Sequence, residues 1–156
     1  MADEPQEVLV SACLLGRECR YDGRHNRDPQ LEDQLAREGL VAVPFCPEEH
    51  GGLSTPRPAA WIEEDSAAAA LDGTSRLITD AGTDVTDQFM RGARGALELC
   101  RARQITTAFL KERSPSCGVC ATHVNGVVVS GPGVTTALLE RNGIHCTGIE
   151  GKRPPA

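Results

Sequence analysis

A chain of 156 residues with a formal net charge of −6 has the size of one domain and no general electrostatic attraction to nucleic acid or to a membrane surface. The acidic start Met1-Ala2-Asp3-Glu4-Pro5 lacks the apolar run of a signal peptide, and no later run is long enough to span a bilayer, so a cytoplasmic location is expected. Seven cysteines, an odd number at irregular spacings, argue against a secreted disulfide framework and for ligand or catalytic thiols in a reducing compartment.

Val8-Leu9-Val10-Ser11-Ala12-Cys13 is a short apolar run that predicts a first strand, and Cys13 at its end opens the phrase Cys13-Leu14-Leu15-Gly16. A polar loop follows. A helix is then predicted from Asp28-Pro29, where Asp caps and Pro suits the first turn, through Leu31, Leu35 and Ala36 to Gly39. The second strand, residues 40–46, ends in Phe45-Cys46-Pro47-Glu48-Glu49. Residues 51–58 are dense in Gly and Pro and read as loop, and residues 61–79 read as an excursion outside the core. Asp84-Val85-Thr86-Asp87 opens a long helix through Phe89, Ala93, Ala96, Leu97 and Cys100, weakened by Gly92 and Gly95. Residues 106–111 predict the third strand, followed by Ser114-Pro115-Ser116-Cys117-Gly118 and, past Cys120, a polar turn. A strand at 127–130, a helix at 134–141 and a strand at 144–146 close the domain, with Pro154-Pro155 in a frayed tail.

This alternation predicts an α/β fold: one domain over residues 1–150, built on a doubly wound, Rossmann-like, mostly parallel sheet, with a tail at 151–156. Ligands of such sheets gather at the carboxyl ends of strands. Cys13, Cys46 and Cys117 all fall in loops at such ends, so three thiols converge on one sheet edge. Three thiolates make a cluster or metal site with one coordination position open. Zinc is the alternative metal, because Cys117 and Cys120 have Cys-x-x-Cys spacing, and a redox thiol pair is another reading of the same motif. Cys100 and Cys146 fit helix and strand patterns and read as core, while Cys19 reads as a spare loop thiol. Glu48 or Glu49 beside such a site could act as a general base. Ser114 and Ser116 flank Pro115, whose fixed φ would hold both hydroxyls near the thiols, with turn-capping as the competing role. Arg17, Arg20, Arg24 and Arg57 lie in loops that should rim the site, and one or two of them could hold a phosphate.

These phrases, with Arg20-Tyr21-Asp22-Gly23, Gly51-Gly52-Leu53-Ser54-Thr55-Pro56-Arg57, Asp84-Val85-Thr86 and Leu110-Lys111-Glu112, resemble the thiouracil desulfurase family from about residue 8 to residue 146. The resemblance implies a 4Fe-4S cluster held by Cys13, Cys46 and Cys117, with one open iron that binds the sulfur of a thiolated uracil or its nucleotide. It also implies non-redox replacement of that sulfur by oxygen, release of hydrosulfide, and Glu48 and Ser114 as the acidic and hydroxyl catalytic residues. Cys120 and the stretch Ala121-Thr122-His123-Val124-Asn125-Gly126 depart from the family's usual Tyr-Asp-Gly type of turn. The acidic net charge favours a small thiolated pyrimidine over RNA as the partner. The competing function is a non-catalytic iron–sulfur or zinc-binding module that carries sulfur or binds a partner.

Overall fold

The computed structural model describes residues 5–151; the expected tail at Pro154-Pro155 lies outside the described residues. In chain order the elements are β1 (Gln6–Ser11), a 3-10 turn (Ala12–Leu15), α1 (Pro29–Arg37), β2 (Leu40–Phe45), α2 (Pro47–His50), β3 (Ala60–Ile62), α3 (Ala67–Leu71) and β4 (Leu77–Thr79). Then follow α4 (Thr86–Arg103), β5 (Thr107–Lys111), β6 (Ala121–Val124), β7 (Val127–Ser130), α5 (Val134–Arg141) and β8 (His145–Ile149). None of the described helices is long and apolar enough to cross a membrane.

The principal sheet is parallel throughout, in the order β2-β1-β5-β8. The run Val8-Leu9-Val10 is apolar at every position because β1 is covered on both faces. Val8 and Val10 pack with Leu31 and Leu35 of α1, whereas Leu9 turns to the opposite face among Ala96, Leu97 and Cys100 of α4. Asp28 caps α1 by accepting from the N–H groups of Gln30 and Leu31, as the Asp-Pro signal predicts. The chain leaves β1 for β2 on one side, and β5 pairs on the other, so the order of strands reverses at β1. That switch point is where the carboxyl-end loops part and leave room for a ligand.

Residues 61–79 are not an excursion. They supply β3, α3 and β4 to a second sheet of order β4-β3-β6-β7, and Ile62 and Leu77 are completely buried in a second core with Phe89 and Val134. β3 and β4 have three residues each, too few for an alternation to show. The polar turn expected after Cys120 is strand β6, joined to β7 by Asn125-Gly126, both at positive φ as a two-residue hairpin demands. β7 is the edge of this sheet and is exposed along its whole length.

Gly92 and Gly95 look like weaknesses in α4 but are buried where α2 crosses it. A Cβ on Gly92 would stand 2.0 Å from the Pro47 carbonyl oxygen, and one on Gly95 would stand 2.4 Å from the His50 ring. Their bare backbones let α2 sit against α4, and α2 carries Glu48 directly after Cys46. Gly92→Ala should therefore cost about 1–3 kcal/mol of stability through overpacking and displace the Cys46–Glu48 segment. Urea unfolding and Cys46 thiol labelling, each compared with wild type, check both parts.

Candidate active site

The carboxyl ends of β1, β2 and β5 finish level with one another. Ser11 is paired with Phe45 in register, and the Lys111 N–H donates to Ser11 Oγ at 3.0 Å. Beyond them lies a cavity of about 540 Å³ lined by Cys13, Cys46 and Cys117 together with Glu48 and Ser114, so the five residues that the family resemblance implies share one chamber. Phe45, Pro47, Ala59, Ala60, Trp61 and Pro115 give it apolar walls suited to a flat ring.

Cys13 sits in the 3-10 turn, where Asn26, itself buried, donates from Nδ2 to its sulfur at 3.6 Å. A hydrogen bond from Cys19, then Asn26 and the charges of Lys111 and Arg20, outweigh burial and bring the Cys13 thiol down to about pKa 7. Cys46 is also lowered, first by Cys19 and then by the backbone of Glu49, against burial. Cys117 differs: burial pushes its thiol well up, a Ser11 hydrogen bond offsetting only part of that. On its own this thiol stays protonated, and a cation bound to it would reverse that. Three cysteines on one cavity, two of them already inclined to ionise, fit the donor set of an iron–sulfur cluster.

Cys19 lies in the loop after β1, as expected, but on the chamber. It is buried and lines the cavity, its carbonyl accepts from Cys46 Sγ at 3.8 Å, and its neighbours Cys13 and Cys46 together with burial raise its thiol. Its position depends on how residues 13–26 fold back, with the Asn26 N–H bonded to the Cys13 carbonyl at 2.8 Å, and no spacing rule encodes that. Cys120 is exposed and lies outside the cavity that Cys117 lines. Cys100 and Cys146 are core residues, their thiols raised by burial to about 11 and about 12.

The two neighbouring carboxylates separate cleanly. Glu48 lines the cavity and is raised by burial, although Arg57 pulls the other way from 3.2 Å. Glu49 is not among the cavity residues; it accepts from Thr55 at 2.6 Å and pairs with Arg17 at 3.1 Å. Arg57 is almost wholly buried and also donates to the Cys19 carbonyl at 2.8 Å, tying the loop after β1 to the segment after β2. Of the four arginines expected at the rim, Arg20 and Arg57 line the cavity, and Arg17 and Arg24 do not. Ser114 performs the capping role, accepting from the N–H groups of Ser116 and Cys117 at 3.1 Å each, and it lines the cavity. Ser116 is turned away and bonds Thr135 of α5 at 2.7 Å.

A chamber at the switch point of a parallel sheet, lined by thiols and by the carboxyl groups of Glu48 and Glu112, defines an α/β protein whose donor set suits a thiophilic metal or cluster. The chain belongs to the 2-thiouracil desulfurase family, whose model matches residues 8–150. It is 39% identical over 139 residues to the "Uncharacterized protein YbbK" of Bacillus subtilis (strain 168), covering 87% of this chain and 91% of that protein. Among solved structures it is similar to the [4Fe-4S]-dependent thiouracil desulfidase TudS, with 44% identity and a TM-score of 0.77 over 92% of this chain and 90% of that one.

Glu112 is a further residue that sequence reasoning passed over. Its buried carboxylate accepts from the N–H groups of Val119, Cys120 and Ala121 at 2.8, 3.0 and 3.3 Å, and so shapes the loop that carries Ser114 and Cys117. Burial alone would raise its pKa, but these donors together hold it below the ordinary value. The stabilisation is therefore present above the unfolded carboxylate's pKa and is lost as pH falls through the lower folded one. Glu112→Ala should destabilise the protein by about 2 kcal/mol at pH 7, the cost of stranding buried donors, and the deficit should shrink under acid conditions. Urea titrations at the two pH values measure it.

Proposed function

We propose that this protein is an iron–sulfur-dependent desulfurase that exchanges the sulfur of a small thiolated pyrimidine for the oxygen of water. In this reading Cys13, Cys46 and Cys117 hold a 4Fe-4S cluster with one iron left open. The observation that carries the proposal is the meeting of these cysteines with Glu48 and Ser114 on a single apolar-walled cavity. Membership of the family and the likeness to TudS support it. When bound, such a cluster would supply a Lewis-acidic iron with affinity for sulfur.

The remaining work falls to the chain. Water attacks the ring carbon that bears sulfur, Glu48 takes its proton, and the balance is one water consumed with hydrosulfide and a proton released. A carboxylate raised by burial is a better proton acceptor than an exposed one, and Arg57 at 3.2 Å fixes its orientation without suppressing that basicity. The Ser114 hydroxyl, with both backbone donors already accepted, offers its proton to the substrate ring or to the attacking water. The apolar wall from Phe45 to Trp61 and Pro115 excludes bulk water from the ring face.

A base must be ionised to act, so kcat/KM with 2-thiouracil should fall as pH decreases through a pKa above the ordinary glutamate value. Glu48→Gln should lower turnover by about 10²–10⁴-fold, keep substrate binding, and erase that acid limb. Near wild-type turnover in Glu48→Gln would contradict the assignment. No turnover of any thiolated pyrimidine by iron-loaded wild type would point instead to a non-catalytic sulfur-carrying module.

A further inference from the structure

We propose that Cys19, Cys46 and Glu49 form a site for a single thiophilic divalent cation, zinc or ferrous iron, which shares Cys46 with the proposed cluster site and excludes the cluster while filled. The cation site stands on its own geometry; only the exclusion rests on the cluster reading.

The ligand atoms of these three residues all lie within 4.8 Å of one another. Ligands held at about 2.0–2.3 Å from one tetrahedral ion stand about 3.3–3.8 Å apart, so small side-chain adjustments are enough to bring all three onto a common centre. Cys117 is outside this group. Two thiolates and a carboxylate form a soft, anionic set that suits zinc or ferrous iron and disfavours magnesium or calcium. Cys13 is likewise outside the group, which leaves the fourth position to water.

A second observation points the same way. Glu49 Oε2 is satisfied by Thr55 at 2.6 Å, whereas Oε1 is buried and receives no aligned hydrogen bond. The Glu49 side chain is 25% exposed, its Oε1 is held only by the Arg17 ion pair, and the mechanism makes no use of it. Arg17 stands 3.1 Å from Oε1 as an ion pair, but its side chain is 62% exposed and can swing into solvent when a cation takes its place. Cys19 is only 3% exposed and is not one of the proposed cluster ligands.

The test uses the full chain, stripped of iron by a chelator under anaerobic reducing conditions and titrated with Co²⁺. Wild type should bind one equivalent, with near-ultraviolet thiolate-to-cobalt absorption and the visible bands of tetrahedral cobalt, and Zn²⁺ should displace it. Cys19→Ser and Glu49→Gln should each weaken binding by more than about 10-fold, the loss that even supporting groups cause, while circular dichroism shows the fold intact. Cys117→Ser should bind cobalt like wild type. Absence of stoichiometric cobalt binding, wild-type affinity in both Cys19→Ser and Glu49→Gln, or a loss in Cys117→Ser as large as in Cys19→Ser would each overturn the site. Preloaded Zn²⁺ should block cluster reconstitution in wild type, and assembly in its presence would overturn the exclusion. Failure of unloaded wild type to assemble any cluster would instead sink the iron–sulfur reading and leave the cobalt result standing.

Discussion

The parallel register of β1 between β2 and β5 is the constraint on which the site depends. Gln6 to Ser11 pair residue for residue with Leu40 to Phe45, and Leu9 and Val10 pair with Ala108 and Phe109. Because side chains alternate with a period of two, a one-residue slip would turn Val8 and Val10 away from α1 and separate the ends of the strands. Both faces of β1 are buried, which makes such a slip costly. The level strand ends are thus a product of the hydrophobic core, and the convergence of Cys13, Cys46 and Cys117 follows from them.

Level ends alone do not fix the loops; close backbone approaches do. Gly92 admits α2 on one side of the cavity. On the other, a Cβ on Gly148 would stand 1.8 Å from Glu112 Oε2, so β8 leaves a gap into which the loop-shaping carboxylate fits. The loop is also tied to α5, where the N–H groups of Val134 and Thr135 donate to the carbonyls of Pro115 and Ser116 at 2.8 and 2.9 Å. The electrostatics are correspondingly uneven. Hydrogen bonds lower the Cys13 and Cys46 thiols, while burial raises Cys117 and Glu48, so groups shifted in opposite directions share one chamber.

Much of this was legible in the sequence because it rests on short-range signals. The apolar runs ending at Cys13 and Phe45, the Asp28-Pro29 start and the Gly/Pro-flanked cysteines each announce themselves within a few residues. Cys19, Asn26 and Glu112 do not, since their roles come from contacts made across a folded loop or to backbone N–H groups seven to nine residues away. The second sheet was hidden by the brevity of β3 and β4. Asn125-Gly126 did carry a hairpin signal, obscured by reading the preceding residues as turn. Helix propensity speaks against Gly92 and Gly95, whereas the close approach of α2 leaves no room there for a Cβ.

The central claim is that three loops present three ligands to one iron–sulfur cluster. Iron and acid-labile sulfide per chain, measured after anaerobic reconstitution of wild type and of Cys13→Ser, Cys46→Ser, Cys117→Ser and Cys100→Ser, tests it most directly. The account predicts about four of each in wild type and in the core variant Cys100→Ser, with loss of the cluster in each of the other three, because a cluster with three protein ligands has none to spare. Full iron and sulfide in any one of those three variants would remove that cysteine from the ligand set and contradict the account.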